Sequence, residues 1–553
     1  MTSARANHQP PGMSVLQQVK LFAGLAAALP GYLREQLLPE AAHAEVTGDL
    51  AHRGKNLLRN ITLGVLAVQG SPYRALLAHA GIEAGDLVEL VGKEGVEGAL
   101  QRLYAAGVYV SLEEFKGRRP IRRGSLELQT TARDFDNPMG TTHIAAQSGG
   151  SRSAGTRLQI DLAHNARSAV YDYLLFETQG ALDRPYVIWQ PTLPYGAGIN
   201  AVLRCAKLGR PVDRWFSQSA PPALGRAWQH GVLTRYLMFA MRRHGCQVPW
   251  PEHVPLSQAE QVARYLAQLK AEGRPALVNS NASSGTRVCL AAREHRLDIA
   301  GTLFRLGGEP LTPARARVVA EAGCRAVSIY GMGEVGRIGL PCGNPEAVDE
   351  VHLLIDKLAV IRPMRRTTGA PPVPVNVYTT LANSTPKLML NVESDDYGEI
   401  GTRPCGCALH RLGLDRQLHT IRSHEKLTSE GMNFLGHDLI RMVEEVLPSQ
   451  FGGGPTDYQL VEDEDEDGLP VVQLIASPRL GPLPESAVTG AIVDYLNEVQ
   501  GGGIYGERWR DARALRLVRK EPFTTSASKV LALHTVKAKT ERTLSANVER
   551  CDA

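Results

Sequence analysis

Only eight of the 553 residues are cysteine, five are tryptophan, and aromatic residues make up 6% of the chain. Cysteines this sparse cannot form the disulfide framework of a small secreted scaffold. An excess of one charge is missing too: 61 Lys and Arg against 57 Asp and Glu leave a net charge of +4. That field is too weak to hold nucleic acid or an anionic membrane, so no nucleic acid partner is expected. No run carries a membrane span either. The longest uncharged stretch, Pro185 to Leu203, holds three prolines, two glycines, Gln190 and Asn200, backbone and side-chain groups that hydrocarbon would leave unsatisfied. It reads as buried strand and loop. The polar opening MTSARANHQPPG lacks the apolar core of a secretory signal, so a reducing cytoplasm is the expected compartment. Internal repeats and long low-complexity segments are absent.

What is present is the composition of a compact protein, 43% apolar and 21% charged, in a chain long enough for two or three domains. Residues 14–111 carry helical spacing interrupted by Pro30 and glycines. From about residue 140 to 415, β-branched runs (YVIW, PALVNS, AVSIYG) alternate with helical ones (AEQVARYLAQLKAEG, PARARVVAEAG), the pattern of α/β units around mixed, largely parallel sheet. Beyond 420, a helix (HDLIRMVEEVL), a hairpin of DYQLV and VVQLIA, and a second helix (AVTGAIVDYLNEVQ) predict a smaller α+β domain. The expected division is a leading helical segment 1–139 of the large domain, a core 140–421 and a C-terminal domain 422–553. Acids Glu462 to Asp467 read as a solvated turn and KGRRPIRRG, Lys116 to Gly124, as a surface loop that could meet a phosphate. The GGG runs at 452–454 and 501–503 read as mobile connections.

Chemistry concentrates in four places. QSGGSRSAGTR, Gln147 to Arg157, combines glycines that free backbone amides with hydroxyl donors, a composition suited to phosphates. YGMGEVG, Tyr330 to Gly336, follows the strand-like AVSI and lies downstream of GGEPLT, Gly307 to Thr312; a carboxylate there, Glu334, is placed to hold Mg2+ on a triphosphate. NVESDDYGEIG, IRSHEKLTSEGMNF and RKEPFTTSASKVLAL follow in that order. Finally Cys342, His352, Cys405 and Cys407 offer three thiolates and an imidazole, a donor set for a closed, structural Zn2+ site, with His410 the alternative fourth ligand. The other cysteines show no ligand spacing, and Cys205 and Cys289 sit in apolar stretches where cysteine packs as a small hydrophobe.

In their order these motifs resemble adenylate-forming enzymes of the acyl-CoA synthetase superfamily. The phenylacetate-CoA ligase and coenzyme F390 synthetase branch, which also has a Cys, a following His and a later CxC, is the most similar in flavour, with some likeness to the acyl-protein synthetases of bacterial luminescence. The resemblance covers roughly residues 140–535 and implies an α/β adenylating domain with a smaller mobile lid. It implies that Ser148, Gly149, Gly150 and Ser151 wrap the β and γ phosphates of ATP, that Gly308 and Glu309 lie near the adenine, and that Tyr330 packs beside the nucleotide. Glu334 would ligate Mg2+, and Asp396, rather than Asp395, would accept the ribose hydroxyls. Arg422, nine residues before Gly431, would contact ribose or phosphate, His424 and Glu425 would form the hinge, and Lys529 would bridge the substrate carboxylate and the α-phosphate. Two departures stand out: Arg152 and Ser153 replace the family's Thr and Gly, and Gly155 with Thr156 stands where Pro and Lys are usual. NASSGTR at 281–287 looks closer to the phosphate loop but lies too near GGEP, and is read as a decoy.

The implied activity is ATP-dependent activation of a small carboxylate as an acyl-adenylate, with pyrophosphate released, then transfer to a thiol, with that of coenzyme A expected. Alternatives are adenylation of another anion such as nitrite, transfer to an amine or protein cysteine, or a non-catalytic nucleotide-binding scaffold. The stretch Tyr186 to Ile199 occupies the family's acyl-pocket position, with Trp189 and Tyr195 as candidate walls. A homodimer is left open.

Overall fold

A computed structural model describes residues 15–140, 144–147, 157–193, 196–218, 228–308, 311–365, 373–394, 396–423, 427–429, 432–434, 436–464, 470–499, 515–524, 530 and 532–535. The leading segment is helical, as its spacing predicts, with helices Val15–Arg34, Pro39–Ala51, Arg53–Ile61, Pro72–His79 and Ala84–Ala105. Their apolar faces are not a separate core. Leu29, Val46, Ile61, Leu76 and Leu100 are buried in the same cluster as the strand residues Tyr186, Leu303, Val351 and Tyr378.

Ten strands form one mixed sheet: β1 (Tyr186–Trp189), β2 (Arg214–Ser217), β3 (Glu252–His253), β4 (Leu277–Asn281), β5 (Leu303–Gly307), β6 (Arg325–Met332), β7 (Gly336–Pro341), β8 (Val351–Leu353), β9 (Asp396–Thr402) and β10 (Arg416–Ser423), in spatial order β9-β10-β8-β7-β6-β5-β4-β1-β2-β3. From β6 to β3 the neighbours run parallel; from β6 to β9 they run antiparallel. Every residue of β1 and β4 is buried, as expected where helices cover both faces. The period of two is visible in the packing: Tyr186 and Ile188 belong to the cluster that includes helix Leu162–Thr178, while Val187 and Trp189 belong to the one that includes Ala259–Ala271 and Ala282–Glu294.

A second, four-stranded sheet is built from β11 (Tyr458–Glu464), β12 (Pro470–Ala476), β13 (Leu515–Arg519) and β14 (Leu533–Thr535), ordered β13-β12-β11-β14. β11 and β12 form the antiparallel hairpin, and β13 and β14 run parallel to their neighbours. Helix Glu485–Val499 and the helical run Gly436–Arg441, Met442–Val446 and Leu447–Phe451 are in its cluster through Leu439, Val443, Val488 and Ile492. The middle piece is π-wound just before Pro448, whose missing N–H deprives Glu444 of its helical donor. The protein is therefore α/β, with a large mixed sheet of mostly parallel strands and a small C-terminal mixed sheet.

Several local expectations are corrected. The second half of Pro185–Leu203 is helix Gly196–Lys207 rather than loop. Gly452–Gly454 is not a slack connection: the Gly454 amide donates to Asp457 Oδ2 at 2.7 Å, and at Gly453 (φ +85°) an added Cβ would lie 2.3 Å from Leu480. NASSGTR spans the end of β4 and the first turns of helix Ala282–Glu294. Its Gly285 is a packing glycine, since a Cβ there would come within 2.7 Å of Leu306. Of the acidic run, Glu462–Glu464 closes β11 and 465–467 lie outside the described residues, as does 501–503.

Candidate nucleotide site and metal centre

The C-terminal ends of the parallel strands open on one edge of the large sheet, where ligands of α/β proteins bind. β5 delivers Gly308 there, at φ +77°. β6 delivers Tyr330 and turns through Gly333–Val335 into β7. Gly331 and Gly336 of YGMGEVG are a steric demand of this turn: the β6–β7 register shifts between Tyr330 and Gly331, a Cβ on Gly331 would lie 2.7 Å from the Gly336 carbonyl, and Gly336 sits at φ +74°. Asp396 arrives from the start of β9, 66 residues along the chain, and accepts a 3.0 Å hydrogen bond from the Tyr330 hydroxyl. That hydroxyl lies 3.3 Å from the hydroxyl of Tyr378. Burial, reinforced by the Asp396 charge, pushes both phenols above their ordinary range, so they stay protonated and can donate. The Asp396 amide donates to Ser394 Oγ at 3.0 Å, which anchors the strand start.

Glu334 stands in the β6–β7 turn with only 8% of its surface exposed. Two lysines hold the turn at its backbone and a third reaches the carboxylate. The Lys387 amide donates to the Glu334 carbonyl at 2.9 Å, the Lys357 ammonium donates to the Val335 carbonyl at 2.7 Å, and the Lys116 ammonium forms an ion pair with Glu334 Oε1. Lys357 is 2% exposed, and burial, together with the Arg167 and Arg337 charges, lowers its ammonium to about 7 against the pull of Asp356. No local signal marked Lys357 or Lys387. Lys116 belonged to a run with a flagged affinity for phosphate, and the expectation of a plain surface loop is corrected for it.

Arg422 is brought to the same place by register: in the β9–β10 pair it faces Tyr397, and Ser423 faces Asp396. Ser148, Gly149, Gly150 and Ser151 lie outside the described residues. Their flanks pair as an antiparallel hairpin, Ile144–Gln147 against Arg157–Ile160. Glu309, Asp395, His424, Glu425, Lys529 and Tyr195 also lie outside the described residues. Trp189 is fully buried, and its indole donates to the Val254 carbonyl at 3.0 Å; it is core rather than a pocket wall.

A second constellation lies at the other end of β7 and β8. Cys342 follows β7, His352 sits in β8, and Cys405 and Cys407 flank Gly406 (φ +69°) after β9. The three sulfurs and a ring nitrogen lie within 4.8 Å of one another, all buried. His352 Nε2 is 3.4 Å from Cys405 Sγ and 3.3 Å from Cys407 Sγ, close to the roughly 3.6 Å edge of a tetrahedron with Zn–S and Zn–N bonds of ordinary length. His352 Nδ1 lies 2.5 Å from the Leu414 carbonyl. Donation there leaves Nε2 as the lone pair facing the thiols, the orientation a ligating imidazole needs. The Asn344 amide, the Arg403 guanidinium and the Gln417 side-chain amide point N–H groups at Cys342 and Cys405 sulfurs, at 3.4, 3.9 and 4.0 Å, contacts that suit thiolates. The donor set therefore fits Zn2+, and His352, not His410, completes it.

No protein-family model and no curated protein matches the chain. Solved structures are similar to it. 2-Hydroxyisobutyryl-CoA ligase in an open conformation, with 2-HIB-AMP and CoA, is 14% identical, covering 90% of this chain and 93% of its own, at a TM-score of 0.44. The anthranilate CoA ligase AuaEII with anthranoyl-AMP is 11% identical over 86% and 95%, at 0.42. The amide bond synthetase McbA from Marinactinospora thermotolerans is 12% identical over 83% and 91%, at 0.39.

Proposed function

We propose that this chain is an AMP-forming ligase that activates a small carboxylate with ATP and passes the acyl group to a thiol, with coenzyme A as the acceptor. The observation that carries the reading is the meeting of Tyr330, from YGMGEVG, and Asp396, from NVESDDYGEIG, at the C-terminal edge of the parallel strands, where Tyr330 is hydrogen-bonded to Asp396 at 3.0 Å. A carboxylate with two acceptor oxygens beside a ring that can pack on a base is what a ribonucleoside requires.

In the reaction a substrate carboxylate oxygen attacks the α-phosphorus and the bond to pyrophosphate breaks; the thiol then attacks the acyl carbon and AMP leaves. Asp396 would accept hydrogen bonds from the ribose hydroxyls and thereby set the position of the α-phosphorus, Tyr330 holds the Asp396 carboxylate in place, and Arg422 would add positive charge toward ribose or phosphate. Lys529 would bridge the two reacting anions, and Ser148, Gly149, Gly150 and Ser151 would take the outer phosphates. Mg2+ on Glu334 would supply charge neutralisation for the departing pyrophosphate. Rate enhancement comes from positioning and charge stabilisation, as expected for transfer to phosphorus. In this reading residues 1–139 belong to the large domain, 140–421 form the adenylating core, and 422–553 form a lid that turns about 422–425 between the half-reactions. Zinc at Cys342, His352, Cys405 and Cys407 is structural, because four protein ligands leave no position for water.

The test is pyrophosphate and AMP formation from Mg-ATP with a panel of aromatic, aliphatic and amino carboxylates plus nitrite, each with and without coenzyme A. A carboxylate-dependent signal that rises with coenzyme A is expected. AMP formation that ignores coenzyme A would overturn the acceptor, a nitrite-only signal would overturn the substrate class, and a protein that binds no ATP would overturn the whole reading.

A further inference from the structure

The basic run Lys116–Gly124 separates into two behaviours. Three of its arginines are satisfied locally: Arg118 by Glu113 at 2.8 Å, Arg122 by Glu127 at 3.0 Å and Arg123 by Glu114 at 2.9 Å. Lys116 instead reaches out of the leading segment to Glu334, 218 residues away. Its presentation is built rather than accidental. Lys116 ends the short helix Leu112–Phe115, opened by a reciprocal Ser111–Glu114 cap. Phe115 is buried against Phe135 with ring centres 4.7 Å apart. The chain then turns sharply at Gly117 (φ +69°), where a Cβ would lie 2.8 Å from the Thr130 carbonyl.

This places an ammonium on the carboxylate that the proposed function reserves for a divalent cation. The two cannot share it, because an ammonium and a doubly charged ion a few Å apart repel strongly in a half-buried site. Lys116 is 22% exposed at the side chain, and a lysine stem can redirect its head without moving its backbone. We propose that Lys116 is the exchangeable counter-ion of Glu334. In the nucleotide-free protein it neutralises the carboxylate and excludes divalent cations; on loading it yields that oxygen and turns to the incoming triphosphate. The inference rests on Glu334 being the cation ligand of the nucleotide site. It assigns the leading segment a part in ordering metal and nucleotide binding.

The test uses Mn2+ as the probe, followed by the loss of the free-ion electron paramagnetic resonance signal on full-length protein. Nucleotide-free wild type is expected to bind Mn2+ weakly, and Lys116→Met to bind it at least about tenfold more tightly, the scale on which a buried charged pair competes. Lys116→Arg, which keeps the charge, is expected to behave as wild type, and Lys116→Met combined with Glu334→Gln to lose the new site. Mn2+ is also expected to raise the melting temperature of Lys116→Met more than that of wild type. If wild type takes up Mn2+ with ATP while Lys116→Met without nucleotide binds no better than wild type, the exchange is overturned. If wild type shows no Mn2+ site even with ATP, the assignment of Glu334 falls, and this inference with it.

Discussion

At the residue scale the Tyr330–Asp396 pair makes the sharpest claim. Asp396→Asn keeps the shape but halves the accepting capacity toward ribose and removes a charge-assisted bond, so the KM for ATP should rise about tenfold to a hundredfold with the melting temperature little changed. Steady-state kinetics of pyrophosphate release with varied ATP checks this. Lys357 yields a different prediction. Its ammonium is lowered by burial to about 7, so between pH 7 and the ordinary lysine range the unfolded chain binds one proton more than the folded one. Stability should therefore rise with pH across that window, and the penalty should be complete below pH 7. Lys357→Met should flatten that rise, read from urea unfolding at pH 7 and pH 9.5. Of these residues Asp396, Glu334 and Tyr330 were legible because each sits in a motif with its own turn chemistry. Lys357 was not, since a single lysine before a strand has no local signature until the fold buries it. Trp189 shows the converse: an aromatic residue in the right segment turned out to be core.

Among elements, the β6–β7 turn and the strand ends around the cysteines decide what the chain can hold. We expect one zinc per chain by plasma mass spectrometry. Cys405→Ser should lose that metal and lower the melting temperature, because metal binding at a closed site is part of the folding free energy. A metal-free variant of unchanged stability would contradict the structural role. A second prediction concerns helix Pro313–Glu321 and the π-wound piece Met442–Val446. Arg315 pairs with Glu444 at 2.9 Å, both almost wholly buried, and Thr312 Oγ1 donates to the same carboxylate. Glu444→Ala would leave a buried guanidinium without that partner and should cost about 3–5 kcal/mol in denaturant unfolding. The helix HDLIRMVEEVL was readable from its periodicity. The interruption of its winding became intelligible only with Pro448 at its helical position, and nothing in the spacing showed that Glu444 faces Arg315.

On the scale of the whole molecule, the proposed lid motion would strain that pair, since Arg315 also reaches the Val530 carbonyl at 3.4 Å, one residue from Lys529. Lys529→Ala should abolish adenylation yet spare the use of a supplied acyl-adenylate, measured as separate half-reactions; loss of both would deny the residue its role. Among the described residues no helix is long and apolar enough to cross a membrane, in keeping with the broken composition of Pro185–Leu203. The chain's own pattern determined the alternation of strand and helix, the C-terminal hairpin, and the residue types able to meet phosphate, ribose and zinc. Each of these depends on neighbours within a few positions, where backbone geometry converts spacing into facing. Only the tertiary structure decided that His352 rather than His410 closes the cysteine cluster, that Glu444 faces Arg315, and that Lys116 rests on Glu334. Those outcomes depend on strand order and on packing between residues tens to hundreds of positions apart, and local spacing carries no record of either.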